Sequence, residues 1–401
     1  MCISVRRFRT VAGERFSVLV DEDGMPLYHQ TLYATWMLRN GSLAANSITN
    51  ALHALKALCA WEDNVGVDLE SVFSQSKTLN ENQVRDLSDF LQRSLASDVE
   101  KRVVSIKRKR KVVGPSTHYF RLSVIADYVE FLANRIGKGI AAGRIQAMVT
   151  AIRASRPIKP SKSSGDLDEV HLPSEVIQAL EDALRPGSSN NPAKVYGVQL
   201  RNALMFTILR LTGMRRGELL NLKIRDCDFA ANTLKIVRRA DAKGDARKHQ
   251  PTTKTRPREI SVISEVVEKI RVYVMTERQR VPNARKHGYL FVTHKAGPTQ
   301  GSPLSLSAFG KLMGELADRV AGAGFHAHAL RHNWNYDFSG IADANGMTQE
   351  EEEKARSFIM GWSETSGRAQ TYNRRHIKEK AQQAALALQE KYLPKKAKGA
   401  S

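Results

Sequence analysis

Cysteine is scarce: Cys2, Cys59 and Cys227 are the only three in 401 residues. They stand far apart and form no C-x-x-C, which excludes a disulfide framework and a cysteine-held zinc site as organising devices. Each is expected to be an ordinary reduced thiol. Long apolar runs are missing too. Nothing approaches the roughly 18 consecutive apolar residues that span a bilayer, and mean hydropathy is −0.39. No Gly-x-x-x-x-Gly-Lys-Ser/Thr loop occurs, so nucleotide hydrolysis is not expected. Acidic charge is in short supply: 41 Asp and Glu face 62 Lys and Arg, leaving a formal charge of +21. Such an excess points to a polyanionic partner, and with no membrane segment in view that partner is expected to be nucleic acid. The opening Met1-Cys-Ile-Ser-Val-Arg-Arg7 has no apolar stretch or small-residue cleavage site behind its arginines, so the expectation is a cytoplasmic protein rather than an exported one.

A chain of this length divides into at least two cores. Ser155-Arg-Pro-Ile-Lys-Pro-Ser-Lys-Ser-Ser-Gly165 has no apolar period and reads as the linker between them. Before it the spacing is helical. Leu52, Leu55, Leu58 and Trp61 repeat at about one turn, as do Val84, Leu87, Phe90 and Leu91. Further helices are expected over Tyr119 to Asn134 and Ala141 to Ala154. The first 25 or so residues read as a small extension with two short strands, Val5 to Arg9 and Arg15 to Val20. Between the helices lies Lys107-Arg108-Lys109-Arg110-Lys111, a run that must be solvated or neutralised by phosphates, and DNA contact is the reading adopted. After the linker, Leu172-Pro-Ser174 opens a second domain of helices carrying a strand pair, Thr233 to Arg239 with Arg258 to Val262.

Three segments carry chemistry. In Leu211-Thr-Gly-Met-Arg-Arg-Gly-Glu-Leu-Leu220 one helix closes on Gly213 and another starts, leaving Arg215 near a helix N-terminus where a guanidinium suits a phosphate. Glu218 is placed to hold that guanidinium; taken alone, the two would be a surface ion pair. In His326-Ala-His-Ala-Leu-Arg-His332, His328 and Arg331 lie three apart, an acid/base group beside a cation. Three histidines could instead bind a metal, but no carboxylate or cysteine nearby completes a usual ligand set, and capping or core packing is the plainer alternative. The third segment, Met360-Gly-Trp362 through Tyr372, ends on a tyrosine in polar, basic surroundings.

Taken in order, these segments resemble the tyrosine recombinase, or phage integrase, family. Its Thr-Gly-x-Arg-x-x-Glu-Leu pattern is matched by Thr212 to Leu219, its His-x-x-Arg by His328 and Arg331, its Gly-His or Gly-Trp by Gly361-Trp362, and its nucleophile by Tyr372. The family's catalytic lysine precedes a strand like Arg258 to Val262; Lys254 is the best match, with Lys243 and Lys248 competing. Ser339 to Lys354 is longer and more acidic than the family pattern. Trp362 stands where most relatives have histidine, so it can donate a hydrogen bond but transfer no proton.

The resemblance implies a mainly α protein in which a helical DNA-binding domain (26–154) follows the extension (1–25). A linker (155–170) then leads to a mostly helical catalytic domain with a small β-sheet (171–388) and a basic tail (389–401). It implies a site-specific recombinase that acts on double-stranded DNA through a 3′-phosphotyrosine, as a tetramer on paired sites, with no metal or other cofactor. Arg215, Lys254, His328, Arg331, Trp362 and Tyr372 would be catalytic and Glu218 supporting. Type IB topoisomerase-like relaxation and a non-catalytic DNA-binding protein on the same scaffold are the alternatives.

Overall fold

A computed structural model describes residues 3–41, 43–94, 112–158, 172–321, 325–363 and 368–392, the side chains of 321 and 368–379 excepted. The chain divides into two compact units, Met1–Ser161 and Lys162–Ser401. Among the described residues no helix is long and apolar enough to cross a membrane.

The first unit opens with β1 (Ser4–Arg9) and β2 (Arg15–Val20), paired antiparallel with Ser4 opposite Val20 and Arg9 opposite Arg15. There follow α1 (Tyr28–Tyr33), prolonged by a wider π-helical turn over Ala34–Arg39, and α2 (Ala45–Val65). Strand alternation turns Arg15, Ser17 and Leu19 inward. Ser17 Oγ meets Thr49 Oγ1 of α2 at 2.7 Å, and Leu19 is fully buried in the same core as Leu52, Leu55 and Trp61. The hairpin is therefore not the separate extension that the sequence suggests: its second strand is a wall of the helical core. The unit is completed by α3 (Leu69–Ser74), α4 (Glu81–Leu91), α5 (Pro115–Ile136) and α6 (Ala142–Ala154). Two of these starts have a clear local cause. Asn80 and Gln83 form a reciprocal cap on α4, and Pro115 occupies the first turn of α5, where its missing N–H costs nothing. Trp61 joins α2 to α4 through Nε1, which donates to Asp86 Oδ2 at 2.8 Å.

The second unit runs α7 (Ser174–Leu184), α8 (Tyr196–Thr212), the single turn α9 (Arg216–Leu219), β3 (Cys227–Asp228), β4 (Thr233–Ile236) and β5 (Arg258–Ser261). It continues with α10 (Ser264–Val272), α11 (Leu306–Leu316), α12 (Ala327–Ala344), α13 (Gln349–Met360) and α14 (Arg368–Tyr392). The expected strand pair is a three-stranded antiparallel sheet in the order β3-β4-β5, because Cys227 and Asp228 add a short edge to β4. The excess of acid between Ser339 and Lys354 has a local role: Glu350, Glu351 and Glu352 fill the first turn of α13, where the helix dipole favours negative charge, and Thr348 caps it. α14 continues to Tyr392, past the expected end at Leu388. Cys59 and Cys227 are buried free thiols, and burial pushes both up to about 12; Cys2 lies outside the described residues.

Candidate active site

Gly213 is the pivot. It ends α8 at φ +59, a left-handed conformation that glycine adopts without strain. A Cβ there would meet Trp334 Cγ and Met360 Cε at 2.9 Å each, so the turn is also packed too tightly for a side chain. Its carbonyl accepts a 2.7 Å hydrogen bond from Arg331 Nη1, while Trp334 Nε1 donates to the Leu211 carbonyl at 3.0 Å. Two residues on, Arg215 sits at the N-terminal boundary of α9, and its amide donates to Glu218 Oε2 at 2.9 Å. The α8–α9 turn and α12 thus bring Arg215 and Arg331 to one place from well-separated parts of the unit's sequence.

Glu218 is 1 % exposed. The sequence places it to hold the Arg215 guanidinium, and it does lie 3.6 Å from Nη1, but its closer partner is Arg258 of β5, whose Nη2 donates to Oε2 at 3.0 Å. Thr255 Oγ1 donates to Glu218 Oε1 at 2.5 Å. Burial pushes the Glu218 carboxyl up, but the charge and hydrogen bonds of Arg258, with the Thr255 hydroxyl and the Arg215 amide, outweigh it and hold the group below the usual carboxylate range. The same Arg258 donates from Nε to the Ile359 carbonyl at 2.5 Å, two residues before Gly361. The motifs do not include Arg258; its one signal in the sequence is a charged residue sharing the inward phase of β5 with Ile260.

Lys254 is exposed between two buried threonines in the long connection from β4 to β5. Thr253 Oγ1 donates to the Val237 carbonyl at 3.4 Å, and Thr255 is the residue bonded to Glu218. The Thr252 carbonyl lies so close to Gly217 that a Cβ there would meet it at 2.6 Å. This places the segment around Lys254 directly on α9. Lys243 and Lys248 are exposed beside a different anchor, the buried pair Asp245 and Arg247, where Arg247 Nη1 donates to the carbonyls of Leu220 at 3.0 Å and Leu304 at 2.9 Å.

On α12 the three histidines differ. His326 is the cap: its Nδ1 accepts from the Ala329 amide at 3.1 Å, which satisfies one of the helix's orphan donors. The His328 and His332 rings meet edge to face at 4.5 Å. Loss of hydration, then the positive surroundings of His332, Arg331, Arg215 and His326, push His328 down to about 4. Its residue surface is open to solvent, so the cationic neighbours are the firmer of those causes. An imidazole so placed is neutral at ordinary pH.

Trp362 is buried with Met360, and the Arg331 guanidinium lies over its ring at 5.3 Å. It follows Gly361, which caps α13 in the left-handed conformation and whose carbonyl accepts from the Arg256 amide at 3.1 Å. Arg356, fully buried in α13, donates to the Asn335 carbonyl at 3.1 Å and to Ser339 Oγ at 2.6 Å, which fixes α13 against α12. Tyr372 belongs to α14, which packs on α12 and α13 and is tied to Asp343 by Lys380. The Tyr372 side chain lies outside the described residues, as do Lys107, Arg108, Lys109, Arg110 and Lys111.

The span that holds Arg215, Lys254, His328 and Arg331 matches a known family: residues 170–339 fit the phage integrase family. The match covers less than half of the chain. Trp362 and Tyr372 lie beyond the matched span. The chain is 26 % identical to the tyrosine recombinase XerD of Halalkalibacterium halodurans over 209 residues, which is 49 % of this chain and 62 % of that relative. It therefore spans less than two thirds of XerD. Among solved structures, the Tn1549 transposon integrase (residues 82–397) in complex with circular intermediate DNA is 15 % identical, with a TM-score of 0.53 over 86 % of this chain and 94 % of that one. Its R225K form with a circular intermediate DNA gives 0.52 over the same shares at 16 % identity. At these identities the likeness is one of fold: a mostly helical integrase fold with small sheets.

Proposed function

We propose that the protein is a site-specific DNA recombinase, which cleaves and rejoins double-stranded DNA through a 3′-phosphotyrosine at Tyr372. The observation that carries this reading is the convergence of Arg215, His328 and Arg331 at the Gly213 turn, with Arg331 held by the Gly213 carbonyl. A phosphodiester under attack gains negative charge on its non-bridging oxygens, and fixed guanidinium groups are suited to stabilise it. In this mechanism Arg215 and Arg331 hold those oxygens, and Trp362 braces Arg331 with its ring and donates its indole N–H. The Tyr372 oxygen forms its bond to phosphorus as the bond to the 5′ oxygen breaks. The phenolic proton passes to neutral His328, and Lys254 protonates the leaving oxygen. A 5′-hydroxyl from another strand then reverses the step, conserving the ester bond.

The partner is duplex DNA, in keeping with the +21 charge. Lys107 to Lys111 track its backbone, and the working assembly is a tetramer on paired sites in the cytoplasm, associated with the nucleoid. Leu386, Leu388 and Tyr392 are exposed on α14, which suits its docking on a neighbouring copy.

The test is a nicked suicide duplex made from DNA flanking the protein's own gene, with wild type compared with Tyr372→Phe on a denaturing gel. A 3′-linked protein–DNA adduct that forms without added nucleotide and is absent from the variant is the expected result. An adduct that persists in the variant removes Tyr372 from the role, and no adduct on any flanking fragment removes the enzyme reading.

A further inference from the structure

Arg258 joins three of the segments around the proposed reaction centre. One guanidinium reaches Glu218 on α9, Thr255 beside Lys254, and the Ile359 carbonyl at the end of α13. The Gly361 turn closes on this group: a Cβ there would meet Arg258 Nη1 at 2.8 Å, Thr255 Cβ at 2.9 Å and the Arg256 carbonyl at 3.1 Å. The register Ile236↔Arg258 sets which way the side chain points, because one step of slip would put Glu259 inward. A planar fork with donors on three nitrogens can serve three acceptors at once, which a lysine ammonium on a single nitrogen cannot do in this spread.

We infer that Arg258 is a positioning residue for the reaction: it fixes Lys254 against α9 and the Gly361 turn, so that the lysine meets the leaving 5′ oxygen. This rests on the recombinase reading above. Arg258 does not reach the phosphate in this role. It acts through Thr255, the neighbour of Lys254, which is locked between Arg258 Nη1 at 3.0 Å and Glu218 Oε1 at 2.5 Å.

A substrate with sulfur in place of the bridging 5′ oxygen separates this role from a merely structural one. A thiol ionises near pH 8.5, far below an alcohol, so sulfur departs without a proton from lysine. Displacing a positioned proton donor by about 1 Å costs on the order of 100-fold in rate. Arg258→Gln is therefore expected to cleave the oxygen substrate about 100-fold slower than wild type and the sulfur substrate within a few-fold of it, as Lys254→Ala does. Thr255→Val, which removes the link without unpairing a buried charge, is the second variant and should show the same pattern more weakly. Equal losses on both substrates in Thr255→Val, with its melting temperature unchanged, would overturn the inference, and so would no loss on either. If wild type itself forms no adduct, the recombinase reading fails instead, so the two failures are distinct.

Discussion

Arg331 donates from Nη1 to the carbonyl of Gly213 across 2.7 Å, although 118 positions separate them in the chain. The bond fixes one edge of the guanidinium, and the Trp362 ring supports its face at 5.3 Å. A lysine here can still answer the carbonyl, but only as a point charge without a fork for two phosphate oxygens. Arg331→Lys is expected to slow adduct formation by about 100- to 1000-fold, the scale of losing one fixed donor to a developing charge. Duplex affinity, measured at one fixed salt concentration, should change little. A comparable loss in binding would mean that Arg331 acts on the ground state.

Gly213→Ala probes the same turn from the side of stability. The residue sits at φ +59, and the new methyl would press on Trp334 and Met360. Left-handed strain and overpacking each cost about 1–3 kcal/mol. At about 2–4 °C per kcal/mol for a unit of this size, calorimetry of the full chain should show the second unit melting roughly 4 °C or more lower. An unchanged melting profile would mean that the turn relaxes freely.

The helices of both units are legible in the sequence because their apolar period is strong. Leu52, Leu55, Leu58 and Trp61 line one face of α2, and all four are buried. Arg215, His328 and Arg331 are legible because their motifs are local. What escapes is whatever depends on pairing across the chain. Arg258 reads as one charge in an alternating strand until its register with Ile236 turns it toward Glu218. Nothing near Gly213 in sequence announces Trp334 or Met360. The choice among Lys243, Lys248 and Lys254 likewise rests on which buried neighbours fasten each stretch, and only Thr255 leads to Glu218.

His328 makes the site's pH dependence directional. In the folded chain it ionises at about 4, against about 6.5 for an unhindered imidazole. The unfolded chain therefore takes up this proton first as pH falls from 6.5. The contribution of His328 to stability is present above that value and lost on descent through about 4. A bound phosphate reverses the local field and raises the imidazole toward its ordinary value, so binding should take up a proton between these limits. Duplex affinity is expected to rise as pH falls from 6.5 toward 5, and calorimetry in buffers of different ionisation heat should register the uptake. His328→Gln should reduce it; an uptake unchanged in that variant would assign the proton elsewhere.

The run from Lys107 to Lys111 yields the prediction most sensitive to salt. Each lysine or arginine on a phosphate releases counterions, and the slope of log affinity against log salt is about −0.9 per phosphate on duplex DNA. Replacing all five residues by glutamine should lower affinity for every duplex alike and flatten the slope by nearly one unit for each phosphate that is no longer neutralised. Preference among sequences should survive, because binding to phosphates carries no base information. If the run were only a solvated loop, the slope would stay at its wild-type value and affinity would fall slightly through the lower net charge. A filter-binding series from about 50 to 200 mM salt, the range over which phosphate neutralisation changes affinity most, distinguishes these outcomes. A flattened slope together with a weakened sequence preference would instead place the run against base edges.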